Sequence, residues 1–245
     1  APAFIVEIGE KCIISLPGVP RELEYLMENH VMSYLTRRYQ LKGVIKVLVV
    51  HTAGIGESSV DEKVADLEVM SNPTLGLLAH PAQTDVRITA KAESEEEAQA
   101  LIKPMLDQVV ERLGNEIYGY DQDTLESVIA QKLKENISAL KIIQYGLNET
   151  LSERLINGPL NSAIIEEFPS QDLDSFEKHI KQNALQNKLV LGIYFDIQSQ
   201  WPQVVVFTAI DNHISNTKRT HGGARPNAPL WAVNNALDFL RRHLA

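Results

Sequence analysis

Short apolar blocks separated by turn residues set the pattern of this chain from its start. Phe4-Ile5-Val6-Glu7-Ile8 and Cys12-Ile13-Ile14-Ser15-Leu16 flank Gly9-Glu10-Lys11, the signature of a hairpin closed by a short glycine-containing turn. Leu16-Pro17-Gly18-Val19-Pro20 ends the second strand, and Pro20 suits the first turn of a helix. Leu23, Leu26, Met27, Val31, Tyr34 and Leu35 then share one face of that helix. A lone hairpin and helix cannot cover such a face, so this opening unit is expected to lean on a preceding body or on a second copy of the chain.

The pattern next predicts a strand at 44–52, a helix at 57–69, strands at 74–79 and 84–92, and a helix from Glu95 to Leu113. Asp85-Val86-Arg87-Ile88-Thr89-Ala90-Lys91 alternates cleanly, and the order describes a small α+β module with helices over one face of its sheet. Pro104 is expected to kink or split the last helix. Tyr118-Gly119-Tyr120-Asp121 reads as a linker. Beyond Thr124 come a helix at 124–135, a strand at 139–145, helices at 148–157 and 174–186 around a strand at 162–167, strands at 189–197 and 203–210, and a helix at 229–244. Helices alternating with strands favour a layered α/β domain. The divisions expected are 1–40, 41–118 and 119–245.

Composition narrows the chemistry. Against 23 basic residues stand 32 acidic ones, a formal charge of −9, which disfavours a dominant role in binding polyanions. One cysteine, Cys12, permits no disulfide framework, zinc spacing or Cys-x-x-Cys pair, and points to a reducing cytoplasm. No apolar run approaches a membrane span, and Ala1-Pro2-Ala3-Phe4-Ile5-Val6 is not a secretory leader. Because the chain opens on Ala1 and runs directly into a strand, a preceding segment is expected.

Three stretches together resemble the CinA family of competence- and damage-inducible proteins. They are Pro2 to Glu7 with Leu16-Pro17-Gly18-Val19-Pro20-Arg21-Glu22-Leu23; Ala53-Gly54-Ile55-Gly56-Glu57-Ser58 with Asn72-Pro73-Thr74 and Val86 to Ala92; and Val204 to Ala209 with Gly222-Gly223 and Asn234 to Arg242. The resemblance implies an α/β chain in three parts: the remnant of a molybdopterin-binding-like α/β domain, a KH-like α+β module, and a layered α/β domain of the family's deamidase type. It further implies that the longer protein binds or hydrolyses an ADP-ribose-like nucleotide with a divalent metal. Pro17, Gly18, Val19, Pro20 and Glu22 would line part of that pocket, while this chain itself would hold no cofactor and no metal. Glycine lets a backbone approach phosphate and prolines fix such a loop, although the same four residues also make an ordinary strand-to-helix turn.

The deamidase-type region departs from the family pattern. Where active members carry Ala-Glu-Ser-Cys-Thr-Gly-Gly, this chain has Gln144-Tyr145-Gly146-Leu147-Asn148-Glu149-Thr150, and Leu191 to Ile197 replaces a glycine-rich loop with a plain apolar run. Amide hydrolysis needs an activated nucleophile, its base and an oxyanion site, so no catalytic residue is assigned here. The reading is a scaffold and homodimerisation segment of a nucleotide pyrophosphatase or nucleotide or pterin binder. The alternatives are an active nicotinamide mononucleotide deamidase, or a nucleic-acid-binding KH-like protein. The last is disfavoured because a KH surface clamps RNA with a Gly-x-x-Gly loop, and none occurs between 41 and 118.

Lys218, Arg219, Gly222, Gly223 and Arg225 form the best candidate anion-binding surface, with a solvated loop as the plain reading. His213 and His221 beside Asp211 fit no zinc spacing. Ser152, Asp172 and His179 have the residue types of a triad but come from unconnected helices. Gly54-Ile55-Gly56 follows a strand and precedes a helix, which suits a turn and also suits an anion. Ser94, ahead of Glu95-Glu96-Glu97, reads as a helix cap.

Overall fold

The computed structural model describes residues 3–134 and 140–244. Pro2 of the first family stretch, the last residue of the helix expected at 124–135 and the first of the strand expected at 139–145 lie outside them. The chain separates into two compact units, one of 1–45 with 91–98 and one of 46–90 with 99–245.

In the first unit β1 (Phe4–Ile8) and β2 (Lys11–Ser15) pair antiparallel, Phe4 opposite Ser15 and Ile8 opposite Lys11. The helix that follows is interrupted. α1 (Pro20–Leu26) passes through a π-turn at Met27–Val31 into α2 (Met32–Tyr39), and such a turn shifts the register of an apolar stripe. Arg38 of α2 ties back to the hairpin, with NH1 3.0 Å from Glu7 Oε1 and NH2 donating to the Gly9 carbonyl at 2.6 Å. Val31 is buried within this unit rather than left on an uncovered face.

Two further sheets are built mainly from the second unit. In the first, β3 (Val44–Ala53), β4 (Thr74–His80), β5 (Gln83–Ala92) and β6 (Ile117–Tyr120) lie in the order β4-β5-β3-β6. The segment read as a linker at 118–121 is thus mostly strand, pairing Val50 with Tyr120. α3 (Glu57–Val64) follows β3, and α4 (Glu95–Leu113) follows β5 and continues through Pro104 without splitting. Ser94 does cap α4, its Oγ accepting from the Glu97 N–H at 3.2 Å.

The second sheet has five strands: β7 (Leu140–Tyr145), β8 (Ile164–Glu167), β9 (Leu189–Asp196), β10 (Gln203–Ile210) and β11 (His213–Thr220), in the order β11-β10-β9-β7-β8. β7 is parallel to both β8 and β9, and β10 is antiparallel to β9 and β11. Alternate side chains of the central strands enter two cores. Leu191, Ile193 and Phe195 pack with α5 (Leu125–Leu133), α6 (Thr150–Ile156) and α8 (Ala228–His243), whereas Val190 and Tyr194 pack with α7 (Leu173–Ala184). Burial on both faces explains why β9 reads as a continuous apolar run.

β11 corrects the loop reading at Lys218 and Arg219, which belong to a strand. Its pairing with β10 is regular along its whole length, and Asp211 and Asn212 both take positive φ, +47° and +69°, between the two strands. That is the backbone of a two-residue hairpin turn with both central residues left-handed.

Candidate functional sites

Two clefts gather the chemistry of the second unit. The first, about 370 Å³, lies at the carboxyl ends of β7, β8 and β9. Because β8 and β9 flank β7 on opposite sides, this is the point where the chain order reverses, the usual ligand position in such sheets. Gly146 ends β7 at φ +82°, and a Cβ there would stand 2.1 Å from the Phe195 carbonyl oxygen, so the turn admits glycine alone. The polar lining is Tyr145, Asn148, Glu167, Asp196 and Gln198. Buried Gln144 donates Nε2 to the Glu167 carboxylate and, at 3.3 Å, to the Asn148 carbonyl, while its Oε1 has no partner. This lining contains no serine, threonine, cysteine, lysine or histidine, so its side-chain hydroxyl is the Tyr145 phenol and its candidate bases are the Glu167 and Asp196 carboxylates.

The second cleft, about 450 Å³, is lined by Gly54 to Glu57 after β3, by His80 and Gln83 of the β4–β5 hairpin, by Arg219 and Thr220 of β11, and by Trp231 and Asn235 of α8. His80 is held by Asp85, Nε2 to Oδ2 at 3.1 Å. The other Asp85 oxygen meets His51 Nδ1 at 2.7 Å, and His51 Nε2 reaches the Asp121 carbonyl at 2.9 Å. His51 also stacks on Tyr118 at 5.4 Å. Burial, aided by the Asp85 carboxylate, pushes the Tyr118 hydroxyl well above its ordinary pKa. Arg219 NH1 donates to the Gly54 carbonyl at 3.0 Å, and His221 backs Trp231 with ring centres 5.0 Å apart.

α8 fixes the loop that opens this cleft. Asp238 accepts from Arg241 NH2 and from Arg242 Nε, each at 2.7 Å, and Arg242 NH2 donates to the Ala53 carbonyl at 2.8 Å. Arg241 NH2 also reaches the Asn115 carbonyl at 2.8 Å. The resembling stretch Asn234 to Arg242 is therefore a docking helix, and its charges are committed to neighbouring backbone.

The candidate residues read from sequence divide as follows. Pro17 is buried, whereas Gly18, Val19, Pro20 and Glu22 are exposed around the start of α1. Lys218 and Arg219 are consecutive on β11 and so project to opposite faces; only Arg219 lines the cleft. Arg225 donates to the carbonyls of Ile197, Ser199 and Gln200 at 3.2, 2.9 and 3.1 Å, so it pins a loop. Gly222 and Gly223 lie in the turn between them. Ser152, Asp172 and His179 each have a separate partner: the Glu149 carbonyl, the first amides of α7 and the Glu166 carboxylate. His80, Gln83 and Asp85 sit on one hairpin without forming any known motif, and no local signal joins them to Trp231 on α8.

Among the described residues, no group of three or more His, Cys, Asp or Glu side chains is placed to hold a metal. No described helix is long and apolar enough to cross a membrane.

Comparison with known proteins places these features. Residues 48–119 match the family described as "Damage-inducible protein CinA KH domain". A "CinA-like protein" of Dictyoglomus thermophilum is 34% identical over 281 positions, covering all of this chain and 67% of that protein. The alignment is longer than the 245 residues of the chain, so that relative carries residues with no counterpart here. A "putative competence-damage inducible protein" of Alkaliphilus metalliredigens is 40% identical over 168 residues, covering 68% of this chain and 40% of that protein. The matched stretch thus spans two-fifths to two-thirds of these relatives. A solved competence or damage-inducible protein from Enterobacter asburiae superposes on 51% of this chain and all of its own, with 12% identity and a TM-score of 0.40.

Proposed function

Since the chain belongs to the CinA family, we propose that it works as a non-catalytic scaffold within that family, with a deamidase-type domain that hydrolyses no amide. The observation that carries this reading is the lining of the cleft at the ends of β7, β8 and β9. Its two carboxylates, Glu167 and Asp196, stand beside Tyr145, Asn148 and Gln198. Acyl transfer needs an attacking group with its base and donors for the developing oxyanion; the two carboxylates could serve as base, but no serine, threonine or cysteine stands beside them to attack. Two carboxylates also disfavour a phosphate-bearing substrate at this position. The test is ammonia release from nicotinamide mononucleotide by the intact chain. Release at the level of buffer supports the scaffold, whereas release that Glu167→Gln abolishes would overturn it.

For the longer protein, the proposed activity is nucleotide binding or pyrophosphate hydrolysis, with Pro17, Gly18, Val19, Pro20 and Glu22 contributing one wall of the pocket. A Cβ added at Gly18 meets nothing within 4 Å, so packing inside this chain does not require glycine there. That leaves room for a close approach by a ligand or another protein segment. The divalent metal of that activity finds no ligand set among the described residues, and its ligands would come from elsewhere in the longer protein.

A further inference from the structure

We propose that the cleft formed by the Gly54–Glu57 loop, the β4–β5 hairpin, β11 and α8 binds a nucleoside monophosphate, its base on Trp231 and its phosphate beside Arg219. This site is separate from the cleft at the strand ends and does not depend on the scaffold reading.

The argument starts from what lines the space. At about 450 Å³ the cleft falls within the ordinary range for small-ligand sites, which are apolar surfaces with a few placed polar groups. Trp231 is the aromatic platform, supported from behind by His221, and stacking on such a ring is available to every base. The cations are Arg219 and, when protonated, His80; Glu57 is the acid that lines the same space. In a chain of charge −9, a cleft with this balance is a local exception. Arg219 spends NH1 on the Gly54 carbonyl, which orients the planar guanidinium and leaves its other hydrogens for a phosphate oxygen.

The polar groups around these anchors are themselves held in place. His80 is fixed through Nε2 by Asp85, which is in turn held by His51, so Nδ1 is the ring nitrogen left for a ligand. Asn235 is buried and commits Nδ2 to the Trp231 carbonyl at 2.8 Å, leaving its carboxamide oxygen as an acceptor for an exocyclic amine. Thr220 supplies a further hydroxyl among the lining residues, while the Gln83 carboxamide is held by Tyr118 and Asn234. Pre-arranged partners of this kind reduce the ordering cost of binding. The acidic charge of the whole chain favours a single phosphate over a polyanion such as RNA.

The chain has two tryptophans, so Trp201→Phe leaves Trp231 as the one reporter. Titration of this variant with AMP is expected to give saturable quenching, with adenosine about tenfold or more weaker because it lacks the ionic hydrogen bond. Arg219→Gln should bring AMP to the affinity of adenosine. Arg219→Lys, which keeps the charge, should retain part of the preference and so separates phosphate binding from mere loosening of the Gly54 loop. Glu57→Gln should tighten AMP and leave adenosine unchanged. Equal affinity for AMP and adenosine, or no saturation up to about 10 mM, would overturn the proposal. So would a ten-nucleotide RNA that binds far more tightly than AMP with a steep salt slope, since that would assign the cleft to nucleic acid.

Discussion

Gly54 and Asp238 are packed so closely that a Cβ on the glycine would stand 2.3 Å from Asp238 Oδ2. Gly54 also holds φ at +74°, where a side chain is strained whatever the surrounding space. Gly54→Ala therefore meets both penalties and is expected to cost about 1–3 kcal/mol. Urea unfolding should show a lower midpoint at unchanged slope; an unchanged midpoint would mean that the loop is not seated on α8.

Asp238 itself is 3% exposed at its side chain and carries Arg241, 9% exposed, and Arg242, 29% exposed. Removing the carboxylate leaves Arg241 charged and buried, so Asp238→Ala is expected to cost about 3–5 kcal/mol. Arg242→Gln acts on the more solvated partner and should cost about 1 kcal/mol or less. Chemical denaturation of both variants checks the order; equal losses would place the stabilisation in the outer pair.

How much of this arrangement the sequence discloses depends on whether a signal is local. β9 and β10 are legible because strands buried on both faces are apolar throughout. β11 is an edge strand of mostly polar residues, and its one local sign is Asp211-Asn212, a turn-forming pair between two strands. The brief Ile117–Tyr120 strand escapes notice because a glycine and two tyrosines look like a connection. The Trp231 cleft is illegible for another reason. Its members come from four separated segments, and Gly54-Ile55-Gly56 looks like a plain turn until Arg219 and Asp238 are brought beside it. The segment at 144–150 is the opposite case, since its difference from the pattern expected of active members is a matter of residue type alone.

Acid should reveal the ion pair at the β8 edge. Lys141, and with it His179, holds the Glu166 carboxyl below the usual glutamate range against the opposing effect of burial. A carboxylate with a depressed folded pKa contributes stability at pH above its unfolded value and loses it as pH falls through the folded one. Glu166→Gln should thus lower Tm at neutral pH, with the gap from the unmodified chain closing below about pH 4. A gap that persists unchanged at pH 3 would show that the pair is not what the substitution removes.

The hairpin at the start of the chain supplies the test of assembly. Side chains opposite one another share a face, so Phe4, Val6, Ile8 and Ile13 form one apolar surface, exposed at 57%, 43%, 61% and 58%. Patches of this kind mark association sites or invite aggregation, and a second copy of the chain is the partner we propose. The helix face is a poorer target than its spacing suggests, because Val31 is buried within its own unit and Val31→Asp should unfold that unit rather than separate two chains. Ile8→Asp with Ile13→Asp places charge where the unit itself needs none. The unmodified chain is expected to sediment as a dimer at tens of micromolar and the double variant as a monomer with the same circular dichroism. A monomer from the unmodified chain at that concentration would refute the pairing.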